Sequence, residues 1–510
     1  MISKEAQQAM RQWLSKATPP ERQVDRRWVE RYRELDSYDS FWWLSWAGPF
    51  TEEEQQQWDC LFVSPIDDAT KEQLAPLLTQ SRNRELEAAL TEHREPRLHY
   101  PAIEIDDVRR RVAELSELDA KIKREEPNAI VRQLYHETIA KDVDYLRIIG
   151  STYEGDTERY WTLNRRVFDI PTPDEMAAAF SWVKRLIQQG FERPETAEMS
   201  QDLLRFIQEQ LHLSLDLSSG KDDPPAAIER HPSEQQRTIS AETAQRFYET
   251  VLHEGGYEGW RVSIDAASGG VVRVESGLRQ LILPGGSWTL DVARIDLAHE
   301  LAGHVARSFA GEHSPIGLLG IGTRDYAVTE EGLALYYQHQ VEVLHGHSSD
   351  DSGPYLQMLE TGLASGVITP PLTFSSLYTF FERLILLYRR LLWPSRQGES
   401  DRQRSHKIAL TLCLRVYRGV PDLQRAGVCY LQDTMYLRGM LLVNRLVAED
   451  PAVLDRLMVG KISHDLLPVL HPLHIVPSPQ PLRELAYDLE LDTYILSFEE
   501  ESEGNMIKSV

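Results

Sequence analysis

Between Leu297 and Arg307 the chain reads LAHELAGHVAR, and this stretch restricts the fold more than any other. Leucine, alanine and valine surround His299, Glu300 and His304. The segment is therefore driven into an interior while carrying three groups that water would otherwise solvate. Burying two histidines and a glutamate among apolar residues is costly unless they are paired or ligated. The chain must bring partners to them from elsewhere, or leave the helix at a surface with its polar groups in solvent.

The spacing sharpens the choice. On a regular helix four residues turn about 400°, which stacks two histidines, whereas five residues turn about 500° and leave them roughly 140° apart. A straight helix would keep His299 and His304 on different faces. A π-type bulge would bring them onto one face, and such bulges recur at functional sites. Gly303, directly before His304, tolerates the unusual backbone. With a bulge, His-Glu-x-x-x-His reads as a lengthened relative of the His-Glu-x-x-His zinc-protease signature. Catalytic zinc commonly takes two histidines and one carboxylate. Downstream, YAVTEEGLALYYQHQVE (326–342) reads as a helix starting at Thr329, with Glu330 and Glu331 in its first turn. Either carboxylate would close the set, and Glu300 would then be the general base.

The rest of the chain supplies the frame. Residues 1–90 read as a helical extension with an aromatic insert, YDSFWWLSWAGPF (38–50), which is a packed patch or a contact surface. Residues 91–235 read as a helical lead-in, with three-to-four apolar spacing in IDDVRRRVAELSELDAKIKRE and a Pro-Asp-Glu start in PTPDEMAAAFSWVKRLIQQGF. LSSGKDDPPAAIERHPSEQQRT (217–238) is an exposed connection by composition. From 236 to 510 the alternating WRVSIDA and VVRVESGLRQLILP predict short strands before the LAHELAGHVAR helix. The expected class is α+β, mostly helical with a small sheet beside that helix.

Composition excludes several roles. The 510-residue chain carries a formal net charge of −24, which disfavours nucleic acid and anionic membranes as partners. The apolar run LYTFFERLILLYRRLLW (377–393) is too charged to span a bilayer. Three cysteines, Cys60, Cys413 and Cys429, form no disulfide framework, and with no signal-like N-terminus they point to a cytoplasmic protein. Two other histidine groups, HGHSSDD (345–351) and HPLH (471–474), sit in loop-like contexts without a helical frame. GLLGIGTRD (317–325) lacks the Lys-Ser/Thr of a phosphate loop and reads as the connection between the two motif helices.

HELAGHVAR (299–307) with Gly311 and TEEGLA (329–334) resembles the HExxxH/EEGLA metallopeptidase family that includes the tubulin tyrosine carboxypeptidases, whose bacterial-type members were formerly a domain of unknown function. RVYRG (415–419), QDTMYLRG (432–439), EEPNAIVRQLYHETIAKDVDYLRII and FDIPTPDEM are similar to further blocks of that family. The resemblance spans roughly 100–490. It implies a zincin-like domain with Zn2+ held by His299, His304 and Glu331, and Glu300 as catalytic base. Glu330 falls at a neighbouring, supporting position, as does Asp433. The implied activity is removal of a C-terminal residue, aromatic in the family, from a peptide or protein. One departure stands out: the family's Lys-Asp-x-x-Tyr-Leu block has Gln432 in place of the lysine. A neutral amide donates hydrogen bonds without charge, so Arg415, Arg418 or Arg438 would have to supply positive charge for a substrate carboxylate, and Tyr436 would steady the oxyanion. Two alternatives stay open: a zinc-binding regulatory protein without turnover, and an aminopeptidase. The oligomeric state is not legible.

Overall fold

Helices dominate the computed structural model, which describes residues 1–35, 68–100, 105–217, 237–265, 272–345, 352–393 and 399–498. The aromatic stretch 38–50, Cys60, residues 218–236 of the connection and residues 346–351 of the HGHSSDD run lie outside the described residues. The class is α+β, mostly helical with a small sheet.

Local chemistry accounts for the helix starts. Pro173–Phe191 opens with proline in its first turn, and Thr172 and Glu175 cap each other reciprocally. Ala129–Glu154 starts at Asn128, whose side chain accepts from Ile130 and Val131 N–H, and stops at Gly155, where φ is 70°. Leu290–Asp296 starts at Thr289, whose hydroxyl accepts from Val292 N–H.

Among the described residues, five short strands precede the motif helix. β1 (Thr238–Ser240) pairs antiparallel with β5 (Ser287–Thr289). β2 (Arg261–Asp265), β3 (Arg273–Glu275) and β4 (Gln280–Pro284) form a three-stranded sheet with β4 central. β4 lies parallel to β2, with Val262 opposite Leu281 and Ile264 opposite Leu283, and antiparallel to β3. As the central strand, β4 buries three successive side chains, Leu281, Ile282 and Leu283, which explains its unbroken apolar run.

Two cores hold the molecule. One joins the lead-in helices to Phe374–Leu392, Glu399–Val416 and the segment around Tyr430, with Cys413 and Cys429 buried and unbridged inside it. The other packs the sheet and Ala241–Glu254 against Leu297, Leu301, Val305 and Phe309. The N-terminal residues enter both: Trp28 and Tyr32 belong to the first, Met10 and Trp13 to the second. Fully buried Asp25 ties the N-terminal segment to the first core, accepting from Gly317 N–H at 2.7 Å, Leu318 N–H at 3.1 Å and the Tyr135 hydroxyl at 2.9 Å. Among the described residues no helix is long and apolar enough to cross a membrane.

Candidate metal centre

Leu297–Val305 forms a π-helix between two α-helical stretches, Leu290–Asp296 and Ala306–Glu312. The Ala306 N–H reaches back five residues to the Leu301 carbonyl, so positions five apart stack. The His299 and His304 rings consequently lie 5.2 Å apart, centroid to centroid. Leu297, Ala298, Leu301, Ala302 and Val305 are buried on the other faces, which drives the segment inward. Gly303 is needed for a different reason from its turn conformation: a Cβ there would sit 2.8 Å from the Ala334 Cβ. The motif helix therefore closes directly onto the TEEGLA helix.

That second helix runs Tyr326–Leu344 and begins a turn earlier than Thr329. Asp325, at φ 59°, takes the cap position without a capping side-chain bond, its carboxylate pairing instead with Lys141 and Arg324, and Thr329 lies inside, its hydroxyl accepting from His464 N–H at 3.1 Å. The earlier start leaves Glu330 and Glu331 in the second turn, facing the π-helix. Glu331 Oε2 lies 3.9 Å from both His299 Nε2 and His304 Nε2. One ligand atom each from His299, His304 and Glu331 falls within 4.8 Å of the others, the group of this kind found among the described residues. Glu300 Oε1 is 4.0 Å from His299 Nε2.

The far side of each imidazole is also engaged. His304 Nδ1 meets Glu330 Oε1 at 2.9 Å, and His299 Nδ1 meets Gln338 Oε1 at 3.2 Å, with Gln338 in turn donating to Glu342 at 3.1 Å. These contacts engage Nδ1 of each ring and leave both Nε2 atoms turned toward Glu331, the arrangement that metal-binding histidines adopt. Glu330 itself is held by Arg307 at 3.3 Å and Lys461 at 3.3 Å. The sequence hints at both cations only as lone charges in apolar runs, AGHVARSFA and MVGKISH.

The electrostatics of the group favour a bound cation. Burial works against a charged His304, but the carboxylates of Glu331, Glu330 and Glu300 outweigh it and raise the imidazole to about 9. Burial and the neighbouring His304 lower His299 to about 3. Burial would raise Glu330, yet Lys461, His304 and Arg307 bring it down to about 2. Glu300 is pushed up to about 7, chiefly by burial. The buried carboxylates around His304 thus favour positive charge at the point where a divalent ion would fit. The donor set, two imidazole nitrogens and a carboxylate oxygen, suits zinc.

The remaining sequence candidates lie on and around the Met435–Glu449 helix. Tyr436 stands close enough to Glu331 for that carboxylate to be the foremost cause raising its phenol. Asp433 is clamped between Arg415, at 3.1 Å, and Arg418, at 2.9 Å. Burial opposes its charge, but the two guanidiniums hold it below its ordinary value. Arg418 also lies over the Tyr430 ring, 4.4 Å from its centroid. Arg438 is spent on Glu175, at 2.6 Å, and on the Phe168 and Ile170 carbonyls. Each of the three arginines is therefore paired within the protein, and Arg415 alone among them keeps its side chain one-third exposed. Gln432 accepts from the Tyr430 hydroxyl and lines a cavity of about 820 Å³ that reaches Glu330 and Glu331, shared with Tyr145, Phe168, Tyr326 and Arg438. His471 opens a short 3-10 turn that His474 caps, and neither belongs to the His299, His304 and Glu331 group.

Fold and site together define a mostly helical α+β protein with a candidate two-histidine, one-carboxylate metal centre. A family model described as microtubule-associated tyrosine carboxypeptidase matches residues 399–499, which relates the chain to the tubulin tyrosine carboxypeptidase-like family. The matched segment contains Arg415, Arg418, Gln432, Asp433, Tyr436, Arg438 and Lys461, and ends the chain's side of the site opposite the HELAGH and TEEGLA helices. That family is named for carboxypeptidase activity on tyrosine. No curated protein matches the chain.

Proposed function

We propose that the chain is a zinc-dependent metallopeptidase, acting as a carboxypeptidase on the C-terminus of a peptide or protein. One observation carries the reading: the π-helix turns His299 Nε2 and His304 Nε2 to the same point, 3.9 Å from Glu331 Oε2, with Glu300 beside them. A zinc ion held by these three would supply Lewis acidity, polarising a scissile carbonyl and making water more acidic.

The chain's own groups do the remaining work. The Glu300 carboxylate, poised near neutrality at about 7, accepts a proton and returns it to a departing amine. The Tyr436 phenol stays protonated beside Glu331 and donates a hydrogen bond toward developing negative charge. The partly exposed Arg415 edge offers a guanidinium to a terminal carboxylate, while Asp433 fixes its orientation. Gln432, its amide oxygen already accepting from Tyr430, presents its N–H donors to the cavity.

Incubating purified protein with peptides of varied C-terminal residue, followed by mass spectrometry, tests the reading. Loss of single C-terminal residues, abolished by a chelator and in Glu300→Gln, is the expected result. Loss of N-terminal residues would favour aminopeptidase chemistry. Stoichiometric zinc with no cleavage of any peptide would favour a binding role on the same site.

A further inference from the structure

We infer that Lys461, together with Arg307, is a positioning residue: the two buried cations lock the Glu330 carboxylate so that His304 presents Nε2 to the metal centre. The inference rests on the zinc reading above and deepens it.

The geometry is specific. Glu330 Oε1 is shared by His304 Nδ1 at 2.9 Å and Lys461 Nζ at 3.3 Å, and Oε2 lies 3.3 Å from Arg307 Nη1. Both oxygens are therefore tied, and the carboxyl cannot rotate away from the imidazole. Arg307 is fully buried and also donates to the Ile462 carbonyl at 2.8 Å. Lys461, 7% exposed, also donates to Ser276 Oγ at 3.1 Å and lies over the Tyr326 ring.

Lysine is almost never buried without a reason, and here two cations face one carboxylate. Packing alone would be served as well by an apolar side chain. The backbone shows that the placement is held firmly. Lys461 N–H donates to the Leu319 carbonyl at 2.7 Å, and its own carbonyl accepts from Thr323 N–H at 3.0 Å. Gly460 before it adopts φ 141°, and a Cβ there would lie 2.8 Å from the Leu319 carbonyl oxygen. The loop between the two motif helices thus grips the segment that carries Lys461. In this way the C-terminal third of the chain reaches the side of His304 opposite its ligand nitrogen. Groups that orient a metal-binding histidine in this manner set affinity, and their loss weakens it by about 10–100-fold.

Zinc affinity measured by chelator competition on the full chain tests this, with melting temperature recorded for each variant. Glu330→Gln and Lys461→Met should each weaken zinc by about 10–100-fold. The double variant should be no weaker than the worse single one, because both act through one carboxylate. Lys461→Arg should recover affinity to within about threefold of wild type. If Lys461→Met does not fold, Lys461→Gln takes its place in the same comparison. Affinity in the Lys461 variant within about threefold of wild type, or losses that add in the double variant, would overturn the inference while leaving the zinc reading intact. A wild type that binds no zinc would overturn both.

Discussion

Gly332 and Gly439 bring two helices together backbone to backbone. A Cβ on Gly332 would lie 2.2 Å from the Gly439 carbonyl oxygen, and one on Gly439 would lie 2.2 Å from the Val328 carbonyl oxygen. Because main-chain atoms, not flexible side chains, occupy that space, neither glycine can be replaced without parting the helices. Their contact is what puts Glu331 beside Tyr436. Gly332→Ala and Gly439→Ala should each cost about 3 kcal/mol or more, the upper end of overpacking. Denaturant melts would show this, and zinc affinity should fall with stability because Glu331 shifts along with the helix.

The protonation of His304 makes a separate, calorimetric prediction. With its imidazole raised to about 9, His304 carries a proton in the metal-free protein at pH 7.5. It must lose that proton to ligate. Zinc binding at pH 7.5 should therefore release about one proton per ion, measured from heats in buffers of differing ionisation enthalpy. Below that pH the affinity should drop about tenfold per unit. The same shift has a stability consequence of opposite sense. A group whose folded value is raised stabilises fully below its unfolded value, near 6.5, and loses that contribution as pH rises through about 9. The metal-free protein should accordingly lose stability between pH 6.5 and 9, and zinc should abolish the trend.

Asp433 supplies the acid limb. Arg418 and Arg415 hold it below its ordinary value despite burial. A depressed carboxylate stabilises above its unfolded value, near 4, and that contribution disappears as pH falls through the folded value. Asp433→Asn leaves two arginines facing each other without their shared partner and should cost about 3–5 kcal/mol at neutral pH. Urea midpoints of wild type and variant should run parallel above about pH 4 and begin to converge below it. Lines that stay parallel well below about pH 4, or converge already above it, would show that the clamp is not what the acid dependence reports.

The first thirty-five residues behave as part of the cores. Asp25 accepts from two backbone N–H groups and the Tyr135 hydroxyl with no exposure to solvent. Asp25→Ala should cost about 3 kcal/mol, since buried donors left without an acceptor each carry a penalty of about 1–3 kcal/mol. Removing residues 1–35 should be worse, because Trp13, Trp28 and Tyr32 leave two cores at once. Thermal melts and solubility of the truncated chain would check this.

How much of this was readable in the residues varies with the range of the interaction. The small sheet and the helical majority follow from local periodicity, and the family match agrees with the motif resemblance. The bulged turn in HELAGH was legible because five-residue spacing and an apolar surround leave few alternatives. The TEEGLA helix starts earlier than its sequence suggests: Thr329 looks like a cap, yet Asp325 in a left-handed conformation begins the helix without a capping side-chain bond to announce it. Partners far apart in the chain left no local trace. Nothing near Glu330 indicates Lys461, and nothing near Arg438 indicates Glu175, so the engagement of the arginines in internal pairs could be read only from the fold. Gly332 and Gly439 likewise look like ordinary helix-weakening residues until the two backbones are seen in contact.

The central claim is that His299, His304 and Glu331 hold one zinc ion. Crystals grown with zinc and measured on both sides of its absorption edge test that most directly. A single anomalous peak about 2.0–2.2 Å from His299 Nε2, His304 Nε2 and a Glu331 oxygen, absent in Glu331→Ala, is the result expected. No ordered zinc at these atoms, or zinc bound only elsewhere, would contradict the account.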